Sequence, residues 1–102
     1  MLNYETTTET NDDGLLPRYL TQDGTVVCSA QMMMDKNGNA VVVQLDTPQE
    51  HRGNGYAQEM LRCIGTKDTD KELRVISTVT ALGFYRKIGY NEIAPHVFSA
   101  SY

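Results

Sequence analysis

Residues 49–58, which read Gln-Glu-His-Arg-Gly-Asn-Gly-Tyr-Ala-Gln, constrain the fold of this chain more than any other stretch. They follow a β-rich run, Ala40–Thr47 (AVVVQLDT), and lead into apolar residues at Tyr56, Ala57, Met60, Leu61 and Ile64, which is helical spacing. A strand must therefore become a helix here, with Gly53 and Gly55 bracketing the turn. Glycines at such a place let the backbone approach a bulky anion, and free N–H groups at the start of the helix point at it. The helix dipole contributes partial positive charge and Arg52 a full one. The segment reads as a cradle for a phosphate or pyrophosphate.

Other glycine loops fit less well. A P-loop needs Gly-Lys-Ser/Thr, and no lysine follows Gly55. A dinucleotide-binding turn would carry Gly or Ala where Gln58 stands, and its strand would lie in a parallel sheet. A lone Gly-x-Gly is more often a simple helix cap. Arg52, Gly55 and Ala57 agreeing between a strand and an amphipathic helix argue for a ligand instead.

The rest of the chain supplies the frame. Thr25–Met34 and Ala40–Thr47 read as a hairpin closed by the turn Asp35–Asn39, with Val41, Val43 and Leu45 on one face. Met32, Met33 and Met34 read as packing residues. The helix from Tyr56 is expected to stop at Gly65. A strand Leu73–Val79, a second helix marked by Ala81, Leu82, Phe84, Tyr85 and Ile88, and terminal strands around Pro95 follow. The first 24 residues show only two short strand candidates, Leu2–Thr7 and Arg18–Thr21, and no helical spacing. This order predicts one α+β domain spanning residues 1–102.

Composition excludes several classes. A net charge of −4 disfavours nucleic acid as a partner. Cys28 and Cys63 have no metal-ligand spacing and read as reduced thiols of a cytoplasmic protein. The N-terminus lacks the basic flank and apolar run of a signal peptide, and no stretch is long enough for a membrane span.

Two stretches resemble the GNAT superfamily of acyl-CoA-dependent N-acyltransferases. Arg52-Gly53-Asn54-Gly55-Tyr56-Ala57 fits its Arg/Gln-x-x-Gly-x-Gly/Ala motif, preceded by Leu45-Asp46-Thr47 where its fourth strand would end. Ala81-Leu82-Gly83-Phe84-Tyr85-Arg86-Lys87-Ile88-Gly89-Tyr90 is similar to its second motif, Ala-x-x-Phe-Tyr-x-x-x-Gly-Phe/Tyr. The resemblance implies a mixed, mostly antiparallel sheet with two main helices. Members usually carry one or two more helices between their first two strands. Too few residues separate those strands here for helices of ordinary length, so the N-terminal helices are expected to be reduced or absent. Many members have Asn where this chain has Thr78.

The resemblance also implies a site. Arg52, Gly53, Asn54, Gly55, Tyr56, Ala57 and Gln58 would hold the pyrophosphate of acetyl-CoA. Backbone groups of Leu45, Asp46 and Thr47 would orient the thioester, and Tyr85 would protonate the departing thiolate. No metal is implied. Asp46, Glu50 and His51 stand near enough in sequence to be bases, and none is singled out. The acceptor is expected to be an amine, on a protein rather than a metabolite, because the trimmed N-terminus leaves no wall for a small-molecule pocket. A homodimer closing the site through Val97 and Phe98 is one alternative. A module that binds coenzyme A or a partner protein without turnover is another.

Overall fold

A computed structural model describes all 102 residues. Seven strands form one sheet: β1 (Leu2–Thr6), β2 (Leu16–Gln22), β3 (Thr25–Met34), β4 (Ala40–Asp46), β5 (Leu73–Ile76), β6 (Asn91–Ala94) and β7 (Val97–Ala100). Helix α1 (Tyr56–Lys67) joins β4 to β5, and α2 (Leu82–Lys87) joins β5 to β6. The spatial order is β1-β2-β3-β4-β5-β7-β6, with every pairing antiparallel except β4–β5. It is the mixed, mostly antiparallel sheet with two helices that the motifs imply. Between β1 and β2 runs only the loop Thr7–Leu15, so the N-terminal helices are absent.

Both helices lie on one face. The crossovers β4-α1-β5 and β5-α2-β6 advance in the same direction across the sheet, and right-handed connections then put both helices on the same side. Leu20, Cys28, Ala30, Met32, Val42, Val75 and Phe98 line this side and form one core with Met60, Leu61 and Ile64 of α1 and Tyr85 of α2. Pairing alternates faces along each strand, so Glu5, Tyr19, Ser29, Gln31, Asp46 and Arg74 fall on the other side.

Four sequence expectations need correction. Gly65 does not end the first helix, which runs to Lys67. Gly65 is buried, and a Cβ there would run into the ring of Tyr102, which packs across the helix at that point. Its small size serves a contact between residues far apart in sequence. Second, Ala40 and Val42 enter the core, not Val41 and Val43. Gln31 pairs with Gln44 but Met32 with Val42, so Val43 is an extra residue, a β-bulge that resets the alternation and returns Leu45 to the core side. Third, the strand expected over Leu73–Val79 stops at Ile76, and Val79–Ala81 form a 3-10 turn before α2. Fourth, only Met32 of the methionine triplet is buried; Met33 and Met34 are exposed.

The hairpin β1–β2 is fastened to the end of α1 by charge. Arg18 donates through Nε and Nη2 to the two carboxylate oxygens of Asp68, both at 3.1 Å, and through Nη1 to the Thr7 carbonyl at 2.9 Å. The Tyr4 hydroxyl donates to the same carboxylate. Both side chains of the ion pair are close to nine-tenths buried or more.

Removing one partner of such a pair strands the other charge away from water. Asp68→Ala is expected to cost about 3–5 kcal/mol in urea denaturation. Glu59→Gln, which breaks the exposed pair with Arg62, should cost less than about 1 kcal/mol.

Three of the six tyrosines are held above the ordinary phenol range. Burial raises Tyr4, with a further contribution from its bond to Asp68. Burial pushes Tyr85 up to about 12, and raises Tyr90 together with its bond to Tyr102. Each is favoured neutral in the folded state. The stability this contributes is full below about pH 10, where the unfolded phenol titrates, and is lost as pH rises through the folded values. Near-ultraviolet titration should therefore show three phenols that stay protonated above pH ~10, with stability falling in the same range.

Candidate functional site

β4 makes the opening. It pairs with β5 only through Ala40, Val42 and the residue between them. Beyond Val42 it stays with β3, whereas β5 ends at Ile76 and Ser77 donates to the His96 carbonyl at 2.7 Å, on the β7 side. The end of β4, Val43–Asp46, thus has a strand neighbour on one side only. Its second edge opens into a cleft of about 600 Å³, bounded by the start of α1, the end of β4 and α2. That volume suits a small-molecule ligand.

The start of α1 forms one wall. A 3-10 turn (Gln49–His51) swings the chain away from β4, and Gly53 and Gly55 take φ of +84° and +77°, values that carry a steric cost for any residue with a Cβ. A Cβ at either glycine would meet nothing within 4 Å, so packing does not demand the absent side chains. Gly55 caps α1 without a side-chain hydrogen bond, and the first amide to bond back is that of Glu59, to the Gly55 carbonyl at 3.0 Å. The amides from Gly53 to Gln58 make no backbone hydrogen bond. This is a concave run of free donors at the positive end of a helix, with open space where side chains would have been.

The predicted residues come together with one exception. Leu45, Asp46, Thr47, Arg52, Gly53, Gly55, Tyr56, Ala57, Gln58 and Tyr85 all border the cleft. Asn54 does not; its amide donates to the His51 carbonyl at 3.0 Å and holds the loop. Arg52 donates through Nε to the Thr47 carbonyl at 3.0 Å, which ties the loop to the end of β4 and leaves its terminal nitrogens free. Tyr56 reaches from α1 to Gln22 of β2 at 2.9 Å. Among the candidate bases, Asp46 and His51 border the cleft and Glu50 does not.

Tyr85 is shared between the core and the cleft. Its ring is buried among Phe84, Tyr90 and Phe98, with centroids 5.1–5.9 Å away. Its hydroxyl makes no hydrogen bond within the chain, yet it is not sealed off, because the residue borders the cleft. Burial pushes its pKa up to about 12, so it carries its proton at neutral pH. Cys28 lies wholly buried beneath, accepting a hydrogen bond from Thr47 Oγ1 at 3.5 Å; burial raises its thiol, which keeps it protonated and unreactive.

Thr80, Ala81 and Phe84 complete the rim, and none of them was expected there from the sequence. Thr80 carries no signal of its own, whereas Ala81 and Phe84 are fixed positions of the second motif; the 3-10 turn that replaces the end of the expected strand brings all three to the rim. Thr78, also in this segment, is exposed, and its hydroxyl lies 3.2 Å from that of Thr80.

No protein-family model and no curated protein matches the sequence. Solved structures do. An 18% identical protein of Lactobacillus plantarum, classed as an N-acetyltransferase, superposes with a TM-score of 0.68 over 82% of this chain. This chain spans 60% of that protein's length. A Klebsiella pneumoniae protein classed among acyl-CoA N-acyltransferases matches at 13% identity and a TM-score of 0.70, over 97% of this chain and 96% of its own. The ribosomal-protein-S18-alanine N-acetyltransferase of Escherichia coli matches at 15% identity and a TM-score of 0.66, over 92% of this chain and 80% of its own. The sheet order, the parting of β4 from β5 and these superpositions together identify the architecture: this chain has the GNAT fold.

Proposed function

We propose that this protein is an acyl-CoA-dependent N-acyltransferase that moves an acetyl group from acetyl-CoA to an amine on a protein. One observation carries the reading. Gly53 and Gly55–Gln58, whose amides are free, the one-sided end of β4 and Tyr85, whose hydroxyl is unbonded, border a single cleft.

The residues fit acetyl-CoA. The amides of Gly53 to Gln58, with Arg52 beside them, take the pyrophosphate, and the open space over Gly53 and Gly55 admits it. The thioester then runs along β4, whose unpaired backbone donors around Leu45 to Thr47 hold the carbonyl and oppose the charge that develops on its oxygen. A neutral amine attacks the thioester carbon; the C–N bond forms, the C–S bond breaks, and the amine gives up a proton. Asp46 and His51 border the path that proton takes. Tyr85 supplies a proton to the departing sulfur. A phenol pushed up to about 12 is a weak donor toward an ordinary thiolate, but a thiolate formed beside the same buried ring is made more basic by the same loss of water.

The acceptor side supports a macromolecule. Without helices between β1 and β2, the sheet face opposite α1 is open, and no wall encloses a small amine there. A protein substrate brings its own walls. One neighbour in fold is named for a ribosomal-protein alanine, so the fold accommodates such an acceptor.

Acetyl-CoA is expected to raise the melting temperature of the protein, and Gly55→Val to abolish that shift. Gly14→Val separates strain from ligand contact. Gly14 has nearly the same φ, +76°, at the other end of the sheet, so this variant should lose about 1–2 kcal/mol of stability and still respond to acetyl-CoA. A parent protein indifferent to acetyl-CoA would rule out the donor.

Tyr85→Phe keeps the buried ring and removes the hydroxyl. Turnover, followed as free thiol release, is expected to fall roughly 10²–10⁴-fold with acetyl-CoA affinity near that of the parent. Unchanged turnover would reduce Tyr85 to a core residue.

A further inference from the structure

The sheet face opposite the helices carries a line of residues that leads to the cleft. Across β1, β2, β3 and β4, the register pairs Glu5 with Tyr19, Tyr19 with Ser29, and Ser29 with Asp46. Residues paired in this way share a face. The row therefore crosses four strands, from the outer edge of the sheet to the end of β4, four residues beyond its last pair with β5. Asp46, at its inner end, also borders the cleft. Asp46 thus belongs both to the open face and to the cleft lining.

The face is open and partly apolar. Tyr19 is 39% exposed, and Val26 and Met33, on the same side, are each 42% exposed. The loop Thr7–Leu15 meets this face at Gln31, two residues along β3 from Ser29, where Asn11 Nδ2 donates to Gln31 Oε1 at 2.8 Å. Acidic charge predominates at this end of the sheet. Residues 1–24 hold five acidic side chains against a single base, Arg18, and the remaining residues balance, so the whole net charge of −4 belongs to β1, β2 and their connections. Arg18 points to the helix side and is neutralised by Asp68. Arg74 is the base on the open face, two strands beyond β3 and paired with Glu72.

We propose that this face binds the acceptor as an extended, basic polypeptide segment, laid along the row from Glu5 to Asp46 with its target lysine entering between β4 and β5. The proposal rests on the transferase reading and names its substrate class. Three strand spacings put Glu5 about 14 Å from Asp46, which an extended peptide spans in about four residues. Positions i and i+4 of such a peptide face the same way. The favoured acceptor thus has a second basic residue about four positions from the lysine. The lysine approaches Asp46 and the second base meets Glu5, while the backbone between them lies over Tyr19.

The experiment measures binding of fluorescein-labelled peptides to the full chain in the presence of coenzyme A. Each peptide has one lysine, with arginine about four residues away, arginine adjacent, or glutamate in place of arginine. Expected is at least tenfold tighter binding for the spaced arginine than for glutamate, with the adjacent arginine between them. Glu5→Lys should weaken the spaced-arginine peptide by roughly three- to tenfold, the scale of an exposed charge pair replaced by repulsion. Glu5→Gln, which keeps the acceptor for Thr21, should weaken it less. Acetyl-CoA binding should not change in either variant. Binding that ignores peptide charge or spacing, indifference to Glu5→Lys, or a dimer that Tyr19→Lys splits would each overturn the proposal. The two readings fail separately. A protein that binds the basic peptide as described but releases no thiol from acetyl-CoA keeps this surface and loses the transferase reading. One that acetylates a small amine while ignoring peptide charge does the reverse.

Discussion

The short pairing between β4 and β5 governs the rest of the molecule. A parallel pair joined by a helix would normally zip along its full length, because each residue added satisfies further backbone groups. Here the extra residue Val43 bends β4, and β5 is only four residues long before Ser77 turns toward β7. The strands part after three aligned pairs. Backbone groups that a complete sheet would have paired are left facing a cleft, and a sheet with both faces separated becomes one with a passage between them.

The passage makes sense of the helices. α1 starts at the mouth of the cleft because the loop from β4 must climb over the opening before it can return to the core. Its first turn then brings unpaired amides to the place where β4 also offers them. α2 is a helix of six residues whose only buried member is Tyr85. That ring is fixed by three aromatic neighbours, and its hydroxyl is thereby held at the cleft with little freedom to stray. A rigid scaffold with exposed, unsatisfied donors at one point is the arrangement that lets hydrogen bonds favour a transition state without reorganising.

Losing the N-terminal helices moves the demands on stability elsewhere. With one face of the sheet uncovered, the edge hairpin β1–β2 has fewer apolar contacts to hold it, and a buried, bidentate ion pair between Arg18 and Asp68 takes up that task. The same pair satisfies the carbonyl of Thr7 and engages Tyr4, so the first strand, the loop after it and the end of α1 meet at one carboxylate. In the same C-terminal part of the helix Tyr102 packs against Gly65, and its hydroxyl lies 2.5 Å from that of Tyr90. These contacts hold the C-terminal end of α1, and the hydrogen bond from Tyr56 to Gln22 of β2 holds its start, where the free amides lie.

Much of this was legible in the residues. The hairpin, the helix after Gly55, the second helix before Gly89 and the cleft residues from Leu45 to Tyr85 depend on local pattern: alternation, helical spacing and glycines where φ must be positive. Such features arise within a few residues of chain, so a single sequence carries them. What the sequence did not show depends on contacts between distant residues. The bulge at Val43 exists only relative to the partner strand, and shifting it by one residue exchanges the faces on which Val41 and Val42 fall. Gly65 looks like a helix stop until Tyr102, far along the chain, is placed upon it. Arg18 and Asp68 are unremarkable polar residues in sequence and become a buried pair only when the sheet brings β2 beside the end of α1. Local periodicity decided the elements and the cradle; the register between strands decided which face each residue took, where β4 was released, and which surface was left open.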